Sequence, residues 1–220
     1  MDKTEIAKVA AKILIDTKSV LFRPEDPFTL TSGKKSPVYV DCRKLIAFPE
    51  QRQTLMRMGG EVLKKAGIAD TFDVIAGGET AGIPYSAWIA DVLHKPMAYI
   101  RKKPKGFGRG ARIEGNMQEG DNVLLVEDMT TDGGSKVSFV NGIRDAGAKC
   151  HHCFVVFSYG IFPEAIEALE KDADLKLHYL ATWWDVLAYA KEKEYFKTEA
   201  DLQSVERFLN NPAQWQEDNG

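Results

Sequence analysis

Glu127 and Asp128 stand side by side at the end of an apolar run, Val123-Leu124-Leu125-Val126, and Thr130-Thr131-Asp132-Gly133-Gly134-Ser135 follows two positions later. The run has the length and composition of a buried strand, predicted to end at the acids, and the residues after Ser135 are spaced as a helix. Glycines at a helix N-terminus let backbone N–H groups turn toward a ligand, in a field of about half a positive charge. Together with the Thr and Ser hydroxyls they make a seat for a phosphate monoester. The neighbouring carboxylates repel phosphate, so they serve something attached to it: sugar hydroxyls, a divalent cation, or positive charge developing in a reaction. The plain alternative is a strand ending in solvated acids before a helix cap. Consecutive acids joined to Thr-Thr-x-Gly-Gly-Ser weigh against it.

Residues 101–112 read Arg-Lys-Lys-Pro-Lys-Gly-Phe-Gly-Arg-Gly-Ala-Arg, with six cations and no acid. Such crowding costs self-repulsion, which a bound polyphosphate relieves through charge-assisted hydrogen bonds. The glycines and proline disfavour helix and strand and suit a lid that closes over ligand. A second turn, Ala76-Gly77-Gly78-Glu79-Thr80-Ala81-Gly82, joins a strand to a helix and offers another backbone anion site. On its own it reads equally as tight strand–helix packing. No G-x-x-x-x-G-K-[ST] or G-x-G-x-x-G occurs, so the acids are not the metal arm of a P-loop.

Several elements must position these groups. Ile6, Val9, Ala10, Ile13 and Leu14 predict a helix over about 4–16, and a loop-and-strand region punctuated by Pro24, Pro27 and Gly33 closes with Val38-Tyr39-Val40. A helix is predicted over 50–66. Strands at 72–76, 97–100, 122–126, 153–157 and 175–180 then alternate with helices at 83–93, 135–146, 163–170 and 184–190. That alternation means an α/β fold with a mostly parallel sheet, whose ligands sit at the carboxyl ends of the strands. Residues 1–45 stand outside it and read as a small N-terminal hood over a core of 46–220.

With 220 residues and 44% hydrophobic content, the chain can bury a sizeable core. Its net charge of −3 disfavours nucleic acid as a partner. Three cysteines fit a reducing compartment better than a disulfide scaffold, charges interrupt the N-terminus against a signal peptide, and no apolar stretch is long enough to span a membrane. A cytoplasmic location follows. Cys150-His151-His152-Cys153 invites a zinc reading, but alternating strand side chains cannot converge on one ion. Trp183-Trp184 reads as core or interface packing.

From Val123 to Ser135 the chain resembles the phosphoribosyl pyrophosphate signature of type I phosphoribosyltransferases. Within that superfamily it is similar to orotate phosphoribosyltransferases over about residues 20–160, through Phe28-Thr-Leu-Thr-Ser-Gly-Lys-Lys-Ser-Pro-Val-Tyr-Val-Asp-Cys-Arg43, Gly77-Gly-Glu-Thr-Ala-Gly-Ile-Pro84 and Arg101-Lys-Lys-Pro-Lys-Gly-Phe-Gly108. The resemblance departs at Thr31, Ala81 and Phe107 and in the Phe-Ser-Tyr-Gly after Val156.

The resemblance implies the type I phosphoribosyltransferase fold. It also implies transfer of the 5-phosphoribosyl group from phosphoribosyl pyrophosphate to orotate, giving orotidine 5′-monophosphate and pyrophosphate, a step of pyrimidine (UMP) biosynthesis. It implies Mg²⁺ bound mainly through substrate, with no ligand set of the protein's own, and a homodimer whose catalytic loop acts in trans. Glu127 and Asp128 would hold the ribose hydroxyls and stabilise charge at the anomeric carbon. Met129, Thr130, Thr131, Asp132, Gly133, Gly134 and Ser135 would seat the 5′-phosphate, with Thr131 also near the base. Gly78, Glu79, Thr80 and Ala81 would touch the pyrophosphate. Arg101, Lys102 and Lys105 match the catalytic-loop cations, with Lys103 beside them in binding, and Asp128 joins them as catalytic. Two other functions fit the same residues: transfer to another base, or nucleotide sensing without catalysis.

Overall fold

The computed structural model describes residues 1–30, 33–104 and 112–219. The chain opens on α1 (Lys3–Asp16), started by Asp2, whose carboxylate accepts the Glu5 N–H at 2.8 Å. Its buried stripe of Ile6, Ala10, Ile13 and Leu14 joins the main core. Four short strands follow: β1 (Val20–Phe22), β2 (Phe28–Thr29), β3 (Lys35–Ser36) and β4 (Val38–Val40). They form two small antiparallel pairs, β1 with β4 and β2 with β3. A 3₁₀ turn over Cys42–Ala47 leads into α2 (Pro49–Lys65), which carries proline at its first position, where no N–H is missed.

The alternation then runs β5 (Val74–Gly78), α3 (Gly82–Leu93), β6 (Met97–Ile100), β7 (Ile113–Gly115), β8 (Asn122–Thr130), α4 (Gly134–Asp145), β9 (Lys149–Ser158), α5 (Pro163–Asp172), β10 (Lys176–Thr182) and α6 (Trp183–Glu192). Among the described residues these strands form one sheet in the order β10-β9-β8-β5-β6-β7, parallel except where β7 turns back along β6. The expected mostly parallel sheet flanked by helices is therefore present. Both faces are buried, which is why its strands read as unbroken apolar runs. Leu124, Val126, Phe154 and Val156 face the core layer shared with α1, α2 and α3. Val123, Leu125, Cys153 and Val155 face Phe139, Val140 and Ile143 of α4 and Leu169 of α5.

One strand runs past its expected end, and the C-terminus adds two helices. β8 does not stop at the acids but pairs onward with β9, placing Glu127 opposite Val155 and Thr130 opposite Ser158. The carboxylates are thus strand residues, held by ladder hydrogen bonds rather than by a loop. At the C-terminus, α7 (Glu199–Asn210) starts on a reciprocal Thr198–Asp201 capping box, and α8 (Pro212–Asn219) buries Trp215 edge-on to Phe208, their ring centres 5.5 Å apart.

Candidate active site

In the sheet, β5 connects through α3 to β6 on one side, while β8 lies on its other side. The chain therefore reverses direction between β5 and β8, where open α/β sheets form a crevice. A cleft of about 330 Å³ opens there. Glu79, Thr80, Ala81, Lys102, Glu127, Asp128, Met129, Thr130, Thr131, Asp132, Gly133 and Ser135 all line it, from three segments of sequence. Gly78, Gly134, Arg101 and Lys103 are not part of this lining, and Lys105, Thr31 and Phe107 fall outside the described residues.

Consecutive strand residues point to opposite faces, and the two acids do so. Glu127 points toward α4, in contact range of Gly78 and facing the Lys136 ammonium at 3.8 Å. Burial lifts its carboxyl from an ordinary 4.5 to about 7; Lys136 opposes that rise and Asp128 adds to it. Asp128 points the other way, with the Arg43 guanidinium at 4.0 Å. Burial raises Asp128 as well, against Lys136, the Met129 N–H and Arg43. Among the described residues, Glu127 Oε1 and Thr130 Oγ1 are buried without a hydrogen-bond partner. Buried polar atoms are nearly always satisfied, so these two suit a ligand that brings its own donors and acceptors.

The turn expected to seat phosphate is shaped by Gly133, the residue before α4, at φ 84°. A Cβ there would sit 2.3 Å from a Leu169 methyl, so both backbone conformation and space demand glycine. Asp132 accepts the Gly134 N–H at 3.1 Å and so holds one amide of the turn. Sequence reasoning passed over two charged cleft residues. Lys136 sits in the first turn of α4, where the helix dipole disfavours a cation. It is 4% exposed and offsets that cost by donating to the Met129 carbonyl at 2.5 Å and by facing Glu127. That misplaced charge was the signal available in the sequence. Arg43 ends the segment from Phe28 that carries part of the resemblance, but only the fold brings it to Asp128.

The turn after β5 answers a question the sequence left open. A Cβ on Gly77 would lie 2.5 Å from the Gly82 carbonyl, one on Gly78 1.9 Å from Glu127 Oε1, and one on Gly82 2.5 Å from that same oxygen. These glycines let the start of α3 pack on β5 and β8, which leaves Glu79–Ala81 to face the cleft. Glu79 ties the turn to the basic segment: its N–H donates to the Ile100 carbonyl and its carboxylate accepts the Lys102 N–H, each at 2.8 Å. Arg101 and Lys102 diverge. Lys102 borders the cleft, whereas the Arg101 guanidinium is 3.7 Å from Glu114 on β7.

Acids on a central strand that runs straight into a glycine-shaped anion seat, at the reversal point of a parallel sheet, define the type I phosphoribosyltransferase class. Solved structures agree on the fold. The chain is 27% identical to Leishmania donovani UMP synthase, with a TM-score of 0.76 over 95% of this chain and 42% of that one. It is 27% identical to the orotate phosphoribosyltransferase of Aeropyrum pernix, with a TM-score of 0.68 over 85% of this chain and 99% of that one. No protein-family model matches. Among curated proteins, it is 56% identical to the orotate phosphoribosyltransferase of Ruegeria sp. (strain TM1040), over 98% of this chain and 94% of the relative. It is 55% identical to that of Roseobacter denitrificans, over 99% and 96% respectively. The chain belongs to the orotate phosphoribosyltransferase family.

Among the described residues no group of three or more His, Cys, Asp or Glu is placed to hold a metal ion unaided. A single buried carboxylate with an unpartnered oxygen, that of Glu127, fits one ligand to a divalent ion that arrives with its other ligands supplied by a phosphorylated substrate. No helix is long and apolar enough to cross a membrane, among the described residues.

Proposed function

We infer that this cleft performs the reaction of the family, moving the 5-phosphoribosyl group from phosphoribosyl pyrophosphate to orotate. The bond from the anomeric carbon to pyrophosphate breaks as a bond to the base nitrogen forms, through an oxocarbenium-like transition state. The turn of Thr130–Ser135 seats the 5′-phosphate with backbone N–H groups and hydroxyls. Glu127 and Asp128 take the ribose hydroxyls, and their negative charge stabilises the positive anomeric carbon. Glu79–Ala81 and Lys102 receive the pyrophosphate end, where negative charge grows. Mg²⁺ bound with the donor supplies further neutralisation of the pyrophosphate. Cys42, Cys150 and Cys153 are all buried and none lines the cleft, so no thiol serves as a nucleophile.

The observation that carries this reading is the meeting of both acids, the phosphate turn and Lys102 on one cleft. Its test is an ultraviolet assay with phosphoribosyl pyrophosphate, Mg²⁺ and a panel of bases. Orotate is the base consumed; consumption of a purine or uracil in its place, or of none, overturns the reading.

The active form is a homodimer in which the basic loop serves two sites. Lys102 works in its own chain's cleft, while Arg101 and Lys105 reach the neighbouring subunit. The support is the divergence of Arg101 from Lys102 at the root of the loop. Mixing inactive Asp128→Asn with inactive Lys105→Ala then creates one site with every group intact, and restores about a quarter of wild-type activity after random reassociation. Mixing Asp128→Asn with Lys102→Ala restores none. Equal recovery in both mixtures, or in neither, contradicts the division.

A further inference from the structure

We propose that Gln216, on the C-terminal helix α8, is a positioning residue for the acceptor base: it clasps the hood hairpin and so sets the Arg43 side of the cleft. The inference rests on the phosphoribosyltransferase reading of that cleft. Lys35 and Gln216 are 181 residues apart in sequence, yet the Gln216 side-chain amide engages both backbone groups of Lys35. Its Oε1 accepts the Lys35 N–H at 3.1 Å, and its Nε2 donates to the Lys35 carbonyl. This is the pairing a neighbouring strand would make, supplied by one side chain. An apolar contact would hold the hairpin near α8; two opposed hydrogen bonds also fix its register. The clasp is braced one residue away. Trp215 is 2% exposed, packs on Phe208 and donates through Nε1 to Ser204 Oγ at 3.3 Å, so Gln216 starts from an already ordered helix.

The clasped strand runs directly to the cleft. Ser36 Oγ donates to the Val38 carbonyl at 2.7 Å and accepts its N–H at 3.3 Å, locking the corner between β3 and β4. β4 pairs with β1, the Asp41 N–H donates to the Ser19 carbonyl at 2.7 Å, and the Asp41 carboxylate accepts the Arg43 N–H at 3.1 Å. Tyr85 of α3 donates to the Cys42 carbonyl, and Arg43 then faces Asp128. The 5′-phosphate seat lies at the α4 end of the cleft, and the pyrophosphate end is marked by Glu79 and Lys102. The side bounded by Arg43 and the hood is what remains for the base.

Gln216→Ala and Gln216→Glu separate this role from general support, because a carboxylate can accept the Lys35 N–H but cannot donate to its carbonyl. In both variants the KM for orotate rises roughly fivefold to tenfold, the cost of one to two lost hydrogen bonds. kcat and the KM for phosphoribosyl pyrophosphate stay within about twofold, and Tm within about 2 °C. Hydrogen exchange at the Lys35 amide accelerates in Gln216→Ala and stays near the wild-type rate in Gln216→Glu, which still accepts that N–H. An orotate KM that does not move overturns the proposal, as does a joint change of both KM values, kcat and Tm. If the wild-type enzyme consumes a different base, the function reading fails and the KM for that base becomes the measure. Unchanged exchange at Lys35 in Gln216→Ala overturns the clasp whichever base is used.

Discussion

Lys102→Ala lowers kcat on the order of 100-fold, with a smaller rise in the KM for phosphoribosyl pyrophosphate. The bound donor already carries charge on its pyrophosphate, which Lys102 meets in ground and transition states alike. What changes in the transition state is the added negative charge on the departing oxygen. A unit charge about 4 Å from an ammonium, at the effective dielectric near a protein surface, is worth about 4 kcal/mol. Retaining two-thirds of that gives roughly 100-fold. Lys102 is held to its task by its own backbone, whose N–H bonds Glu79 across the cleft rim, so truncating the side chain leaves the loop root in place. Lys103→Ala is the internal control, since Lys103 does not line the cleft, and it changes kcat by less than about threefold. A kcat for Lys102→Ala within threefold of wild type removes Lys102 from the chemistry.

The turn of Thr130–Ser135 was legible as part of the cleft because its pattern is local. Glycines at a helix start, hydroxyls beside them and acids before them are adjacent in sequence and remain adjacent when folded. Lys102 was legible as part of a charge cluster. Lys136 and Arg43 were not, for different physical reasons. Lys136 is explained by a partner nine residues upstream that meets it only because β8 and α4 are antiparallel neighbours through a tight turn. Arg43 reaches Asp128 only because the turn after β4 folds back to the carboxyl end of β8. Strand alternation also misled at one place. It separates Cys150 from Cys153, but the ladder between β8 and β9 is irregular at that point and both thiols enter the same core layer. His151 and His152 then turn to different partners, Asp174 at 2.8 Å and His178 at 3.1 Å. Trp183 and Trp184 divide in the same way: the first is buried against Phe157, and the second is 39% exposed with its ring N–H on the Gly160 carbonyl.

The buried pair behind the cleft carries the largest expected effect on stability. Lys136→Met destabilises the protein by about 1–3 kcal/mol at pH 8: Glu127 loses its main compensating charge and must hold a proton, about 1.4 kcal/mol for the one unit above 7, and the Met129 carbonyl loses its donor. The sign of the pH dependence follows from the direction of the Glu127 shift. Its folded value is raised above the unfolded one, so the native state binds this proton more tightly. The associated stability is fully present below about 4.5 and is lost as pH rises toward about 7. Removing Lys136, the group that most opposes the rise, moves the folded value higher still, so the variant keeps losing stability above pH 7 where the wild type has levelled. The difference between the two therefore widens from pH 5 to pH 8, and denaturant unfolding at the two pH values measures it. Glu127→Gln placed on the Lys136→Met background removes the titrating group and flattens that widening. A Lys136→Met penalty that is the same at both pH values shows that Glu127 does not sense Lys136, and that the Met129 carbonyl contact alone keeps the lysine in place.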